Sequence, residues 1–149
     1  MHRWLVSIAL LVSVFCGVLH AQAPFTIRAA SAELVDGWER MPSPNGNGFI
    51  WVSPSAGLTA ADIQRAQRIA GTDGRTSVGI VFTSDGARKM RELSRAQVNK
   101  LVALILDGKV IWAPVVRDEI GSEAVLTGNG PAGVAPAVVE RILALVKSQ

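Results

Sequence analysis

The chain has 149 residues, 49% hydrophobic and 18% charged, with a formal net charge of +3. That length suits one compact domain with its own core, and the charge is too small to draw a nucleic-acid partner. Both histidines, His2 and His20, and the lone cysteine, Cys16, precede Ala21, and tyrosine is absent.

In chain order, Arg3 stands before an apolar run, Trp4 to Leu19, and small residues follow at Ala21 and Ala23. This is the layout of a signal peptide, and the run falls short of the roughly 20 apolar residues that a bilayer span needs. Residues 1–23 are therefore expected to be a signal peptide, cleaved after Ala21 or Ala23. Residues 24–149 form a single domain with no membrane span, periplasmic or secreted. Cys16 follows Phe15 where a lipidation site has small residues, so no acyl anchor is expected.

Phe25 to Ala30 reads as a first strand. Val35 to Gly48, ending in MPSPNGNG, reads as a loop punctuated by Pro, Gly and Asn, and Phe49 to Ser53 as a short buried strand. Thr59, Asp62 and the Leu58–Ile63 staple mark a helix start. That helix is expected to run to about Ala70 and to bury Ile63, Ala66 and Ala70 at helical spacing. After the turn GTDGRT comes a strand over Thr76 to Thr83. Ser84 then caps a helix whose inner face carries Ala87, Met90 and Leu93, with Met90 read as packing.

Leu101 to Leu106 has no polar alternation and should be a strand covered on both faces. Asp107-Gly108 suits a two-residue type I′ turn, in which both residues take positive φ. In the returning arm, Lys109 to Val116, Pro114 lacks an amide donor, so the arm ends there or lies at an edge. Glu123 to Gly128 supplies a further strand. Pro136 to Lys147 is a helix with Val138, Ile142 and Leu145 on its apolar face, Val139 and Val146 beside them. The expected fold class is α+β, two-layer, with a mixed or antiparallel sheet, helices packed mainly on one face and a central Asp-Gly hairpin.

Outside the leader there is no imidazole and no thiolate. The usual general base, soft metal ligands and nucleophile pairs need one or the other. No enzymatic activity, metal or cofactor is expected, and no disulfide can form in the domain. Adjacent Asp118 and Glu119, beside Arg117, read as a charged loop, not a convergent carboxylate pair. The basic residues from Arg88 to Lys100, with Asp85 and Glu92 among them, read as a solvated helix face. GNGPAG, Gly128 to Gly133, fits a dinucleotide fingerprint between strand and helix. The chain after it has no room for a second strand and a ribose-binding acid, so it reads as a strand-to-helix turn.

VGIVFTSDGARKM, LVALILDGKVIWAPVV and EIGSEAVLTGN before a closing helix together resemble the head of the first periplasmic domain of the SecD-type preprotein translocase subunit. The resemblance carries FTSDGA before a helix, LDGKVI and APVV across the hairpin, and LTGN before the last helix. It implies an α+β head, with helices on one side of a sheet, that serves protein export by contacting polypeptide. The translocase subunit's proton-driven membrane helices have no counterpart here, so only the head's binding capacity carries over. Trp112 stands where the family usually has a small residue, which marks either a contact surface of its own or an aromatic covering the sheet.

The expected function is thus an exported, non-enzymatic interaction module whose partner is a polypeptide or an envelope protein. The expected contact is strand addition at a sheet edge carrying Val110, Trp112, Pro114 and Val116. The alternative is a periplasmic small-ligand carrier, with a pocket between apolar sheet faces and the Gly-rich turn.

Overall fold

The structure, a computed structural model, describes residues 23–55, 57–128 and 133–149. The expected signal peptide up to Gln22, and Asn129 to Ala132 of the GNGPAG turn, lie outside the described residues. Strands are β1 (Phe25–Ser31), β2 (Glu39–Pro42), β3 (Phe49–Val52), β4 (Leu58–Thr59), β5 (Ile63–Ala70), β6 (Thr76–Phe82), β7 (Leu101–Leu106), β8 (Lys109–Trp112) and β9 (Glu123–Leu126). The α-helices are α1 (Ser84–Ala96) and α2 (Pro136–Lys147).

The strands form two antiparallel sheets. One runs β2-β3-β1-β7-β8, with β4 also paired to β1, and the other runs β5-β6-β9. The α+β class and the Asp-Gly hairpin are as the sequence led one to expect. β7 lies between β1 and β8, and five of its six residues are buried, which is why its sequence is apolar without alternation. Asp107 and Gly108 have φ of +47° and +80°, the two left-handed residues that a type I′ turn demands.

Alternation along β1 and β7 feeds two separate cores. Phe25 and Ile27, with Val102, Leu104 and Leu106, join Val78, Ile80 and Phe82 of β6, Ala87 and Met90 of α1, and Val139 and Ile142 of α2. Ala30, Ala103 and Ile105 instead join Met41, Ile50, Val52 and Val110 in a smaller cluster. β2 and β8 stand at opposite ends of the first sheet's strand order, yet they touch. That sheet is therefore curled around the smaller cluster.

Three local expectations are corrected. Thr59 to Ala70 is not a helix: Ala60–Asp62 makes a single 3₁₀ turn, and Ile63–Ala70 is β5. The capping contact exists, since Asp62 Oδ2 accepts from the Thr59 amide at 2.9 Å. It starts no α-helix because the Gly71–Arg75 turn brings β6 alongside and the segment pairs with it from Ile63 to Ala70, with a bulge between Ile63 and Arg65; beyond Ile63 the expected helix would have buried only alanines, too little apolar surface to hold it against that pairing. The α1 cap is Thr83, not Ser84, with its hydroxyl accepting from the Gly86 amide at 3.0 Å. Within the expected loop Val35 to Gly48, Glu39–Pro42 forms β2; Pro42 is tolerated because the strand lies at a sheet end.

α2 is tied to the hairpin turn. Arg141 Nε and Nη2 donate to Asp107 Oδ2 and Oδ1, both at 2.8 Å. Hydrogen bonding from Arg141, with its charge adding to the effect, holds the Asp107 carboxyl below the usual carboxylate range, and the carboxylate in turn raises Arg141. A carboxyl that is more acidic when folded adds stability above its unfolded pKa and loses it as pH falls through the lower folded value. The urea-midpoint gap between wild type and Arg141→Ala is therefore expected to be constant from about pH 7 to pH 5 and to close below about pH 4. The gap should be small, since both side chains are about half exposed.

Candidate functional site

Where the two sheets diverge, the main core is left open as an apolar groove of about 450 Å³. Its floor is made by Ile27, Val102 and Leu104 of the first sheet, with Ile80, Phe82 and Met90 facing them. One wall is Trp112 and Pro114, the roof is Val115 to Gly121, and the other wall is β9, all four of whose residues line the cavity. Val115, which lines it, is 41% exposed, while Val125 turns to the outer face of β9 and is 51% exposed. Large apolar side chains left in water beside an apolar cavity are characteristic of a binding mouth.

The roof is held by specific contacts. Asn99, with φ of +63°, donates its amide to Val116 O at 2.8 Å, and Val116 N donates to Lys100 O at 2.9 Å. Asparagine is among the few side chains that take this backbone region readily. Ser94, fully buried on α1, donates through Oγ to Arg91 O at 3.2 Å and accepts from the Ile120 amide at 2.9 Å. Arg95 places Nε and Nη2 on Glu119 Oε2 at 3.1 and 2.8 Å, and Asp118 Oδ1 accepts from the Glu119 amide at 2.7 Å. Asp118 and Glu119 thus fix the roof's backbone and tie it to α1. Ser94→Ala is expected to cost about 0.5–1.5 kcal/mol, because it removes the partner of the part-buried Ile120 amide. Thermal unfolding measures the loss, and faster exchange at the Ile120 amide locates it.

The four sequence-predicted contact residues separate. Trp112, Pro114 and Val116 line the groove, whereas Val110 is buried in the smaller cluster on the other side of the sheet. Trp112 is half-buried against the main core, an aromatic cover for the sheet that also walls the cavity. β8 ends its sheet, in keeping with Pro114, but the backbone after it bonds inward, Val102 N donating to Pro114 O at 3.0 Å. Met90 packs in the main core and also lines the groove. The role of β9 as a wall is not visible in its sequence. Its only local signal was Val125, an apolar residue opposite a buried alternation. Among the described residues no group of three or more His, Cys, Asp or Glu is placed to hold a metal ion, and no helix is long and apolar enough to cross a membrane.

At the far end of GNGPAG, Gly133 lies close against β6. A Cβ on Gly133, whose φ is +82°, would stand 2.1 Å from Thr76 O, and Val134 N donates to that same oxygen at 2.8 Å. The glycine serves a close backbone approach.

Comparison with known proteins agrees with this architecture. The family described as SecDF, P1 head subdomain, matches residues 38–138. Protein translocase subunit SecDF of Thermus thermophilus is 42% identical over 72 residues, 48% of this chain and 10% of that protein. Protein translocase subunit SecD of Aquifex aeolicus is 30% identical over 91 residues, 61% of this chain and 18% of that protein. The crystal structure of SecDF in a super-membrane-facing form superposes with a TM-score of 0.62 at 26% identity, covering 83% of this chain and 18% of that one. A SecDF structure described as a membrane component that enhances protein export gives 0.61 at 24% identity, covering 83% and 61%, a likeness of fold. The chain thus matches less than a fifth of the length of these curated relatives. The matched span holds the Thr83 cap, the Asp107-Gly108 hairpin, the roof and β9, and the chain belongs to the SecDF P1 head subdomain family.

Proposed function

We propose that this chain is an exported, non-enzymatic interaction module that binds polypeptide in the periplasm in connection with protein export. The apolar groove carries the reading: its floor is aliphatic and aromatic, its mouth exposes Val115, and the charged side chains of its roof are partly consumed in holding the roof to α1. Apolar side chains of an unfolded chain are attracted to such a cavity because each one transferred from water gains about 1.5–3 kcal/mol. Kinship with the P1 head subdomain of protein translocase subunits supports polypeptide as the substrate class. Binding needs no reactive group, in keeping with a domain whose sequence carries neither histidine nor cysteine after His20.

The test is a titration of the full-length chain with a permanently unfolded, reduced and carboxymethylated polypeptide, followed by backbone amide resonances. Saturable shifts concentrated between Trp112 and Leu126 are expected. Shifts absent throughout, at the highest soluble concentration, would contradict the reading.

The groove volume favours one second reading, a small-ligand carrier, since about 450 Å³ falls in the range of small-molecule sites, roughly 300–1,000 Å³. Native mass spectrometry of protein purified from its host separates the two. A carrier retains a stoichiometric small adduct, and a polypeptide binder does not.

A further inference from the structure

β9 has a free side. Phe82 N donates to Ser122 O at 2.9 Å, and the register continues through Val81↔Glu123, Ile80↔Ala124, Gly79↔Val125 and Val78↔Leu126. Hydrogen-bonded pairs alternate with non-bonded pairs in an antiparallel ladder, so Ala124 and Leu126 bond to β6. The amides and carbonyls of Glu123 and Val125 are turned away from it, and these four groups have no other partner among the described residues.

This edge borders the apolar groove. A small apolar ligand there would cover the two donors and two acceptors without pairing them, at the penalty that attaches to any desolvated backbone group. An extended chain pairs them as a neighbouring strand does. Charge sharpens the choice. Glu123 is exposed and has no ion-pair partner among the described residues, whereas Glu119 is held by Arg95 and Asp118 by the Glu119 amide. Arg117 also lacks a partner among the described residues, but it belongs to the roof and not to β9.

We infer that β9 accepts an extended polypeptide segment as an added strand, with Glu123 selecting a basic residue in it. The inference rests on the polypeptide-binding reading above and specifies how that binding occurs. Directly opposed residues place their side chains on the same face. The residue opposite Ala124 therefore enters the groove and is large and apolar. Those opposite Val125 and Glu123 lie on the outer face, one β-branched and one basic. For an antiparallel addition the segment reads Val-Phe-Lys.

The experiment measures affinities of the full-length chain for two short extended peptides, one centred on Val-Phe-Lys and the other on Val-Phe-Glu, with amide shifts recorded for both. The lysine peptide is expected to bind about threefold more tightly, the size of one cross-strand charge pair, with shifts centred on Glu123 to Leu126. Glu123→Lys, an exposed change that leaves the core intact, should reverse the preference. Val125→Pro, which removes an amide that β6 does not use, should weaken both peptides about tenfold while the far-ultraviolet spectrum is retained. An unreversed preference in Glu123→Lys, or shifts elsewhere than β9, would overturn the strand-addition inference and leave polypeptide binding standing. Failure of both the peptides and the unfolded polypeptide to bind would remove the underlying reading as well.

Discussion

Gly86→Ala is expected to destabilise the domain by about 3 kcal/mol, the upper end of what overpacking costs. The sign is the informative part. Gly86 sits in the first turn of α1, and alanine is normally favoured over glycine in a helix by about 1 kcal/mol. Here a Cβ would lie 2.1 Å from Asp62 O and 3.0 Å from Asp62 C. Those atoms are backbone and cannot swing aside. Asp62 O also receives the Thr83 amide at 2.9 Å, and the Asp62 carboxylate holds Lys89 Nζ at 2.7 Å and the Thr59 amide at 2.9 Å. Displacing Asp62 would disturb all of these at once. Urea unfolding of the variant checks the prediction; equal or greater stability than wild type would mean that α1 and the Ala60–Asp62 turn do not approach as closely as described.

Phe25→Ala is the second large effect, at about 3–5 kcal/mol. Phe25 is 1% exposed, opens β1 opposite Leu106, and packs in the core shared by both sheets and both helices. Removing its ring leaves a void that the surrounding strands cannot close without breaking ladder bonds. Net stabilities of such domains are about 5–15 kcal/mol, so the variant should show a much lower unfolding midpoint. Circular dichroism melting measures the midpoint, and a change of under about 1 kcal/mol would contradict Phe25's place in a common core.

Much of the fold was legible because its determinants are local. Asp107-Gly108 specifies its turn through the two residues' own backbone preferences, and α2 declares itself by Val139 and Ile142 on one helical face. β5 was not legible. Ile63, Ala66 and Ala70 satisfy a helical period, and the outcome was decided by β6, a partner brought alongside through the Gly71–Arg75 turn. β2 was hidden by Pro42, and the α1 cap was misplaced by one residue because Thr83 and Ser84 are both competent acceptors. The groove was least legible. Ile27, Phe82, Leu104 and Leu126 each look like ordinary core in sequence, and only the divergence of the two sheets leaves a cavity among them. The unpaired edge of β9 likewise depends on which residues of β6 face it, a property of register that no single segment carries.

If this groove binds polypeptide by shape and apolar contact, filling it must weaken binding. Ala124→Trp places an indole in the cavity from its wall, so the decisive measurement is the affinity of that variant for a fluorescently labelled unfolded polypeptide, with its melting temperature recorded alongside. Affinity reduced at least about tenfold, or 1.4 kcal/mol, is expected with the fold retained; unchanged affinity in a folded variant would contradict binding in the groove.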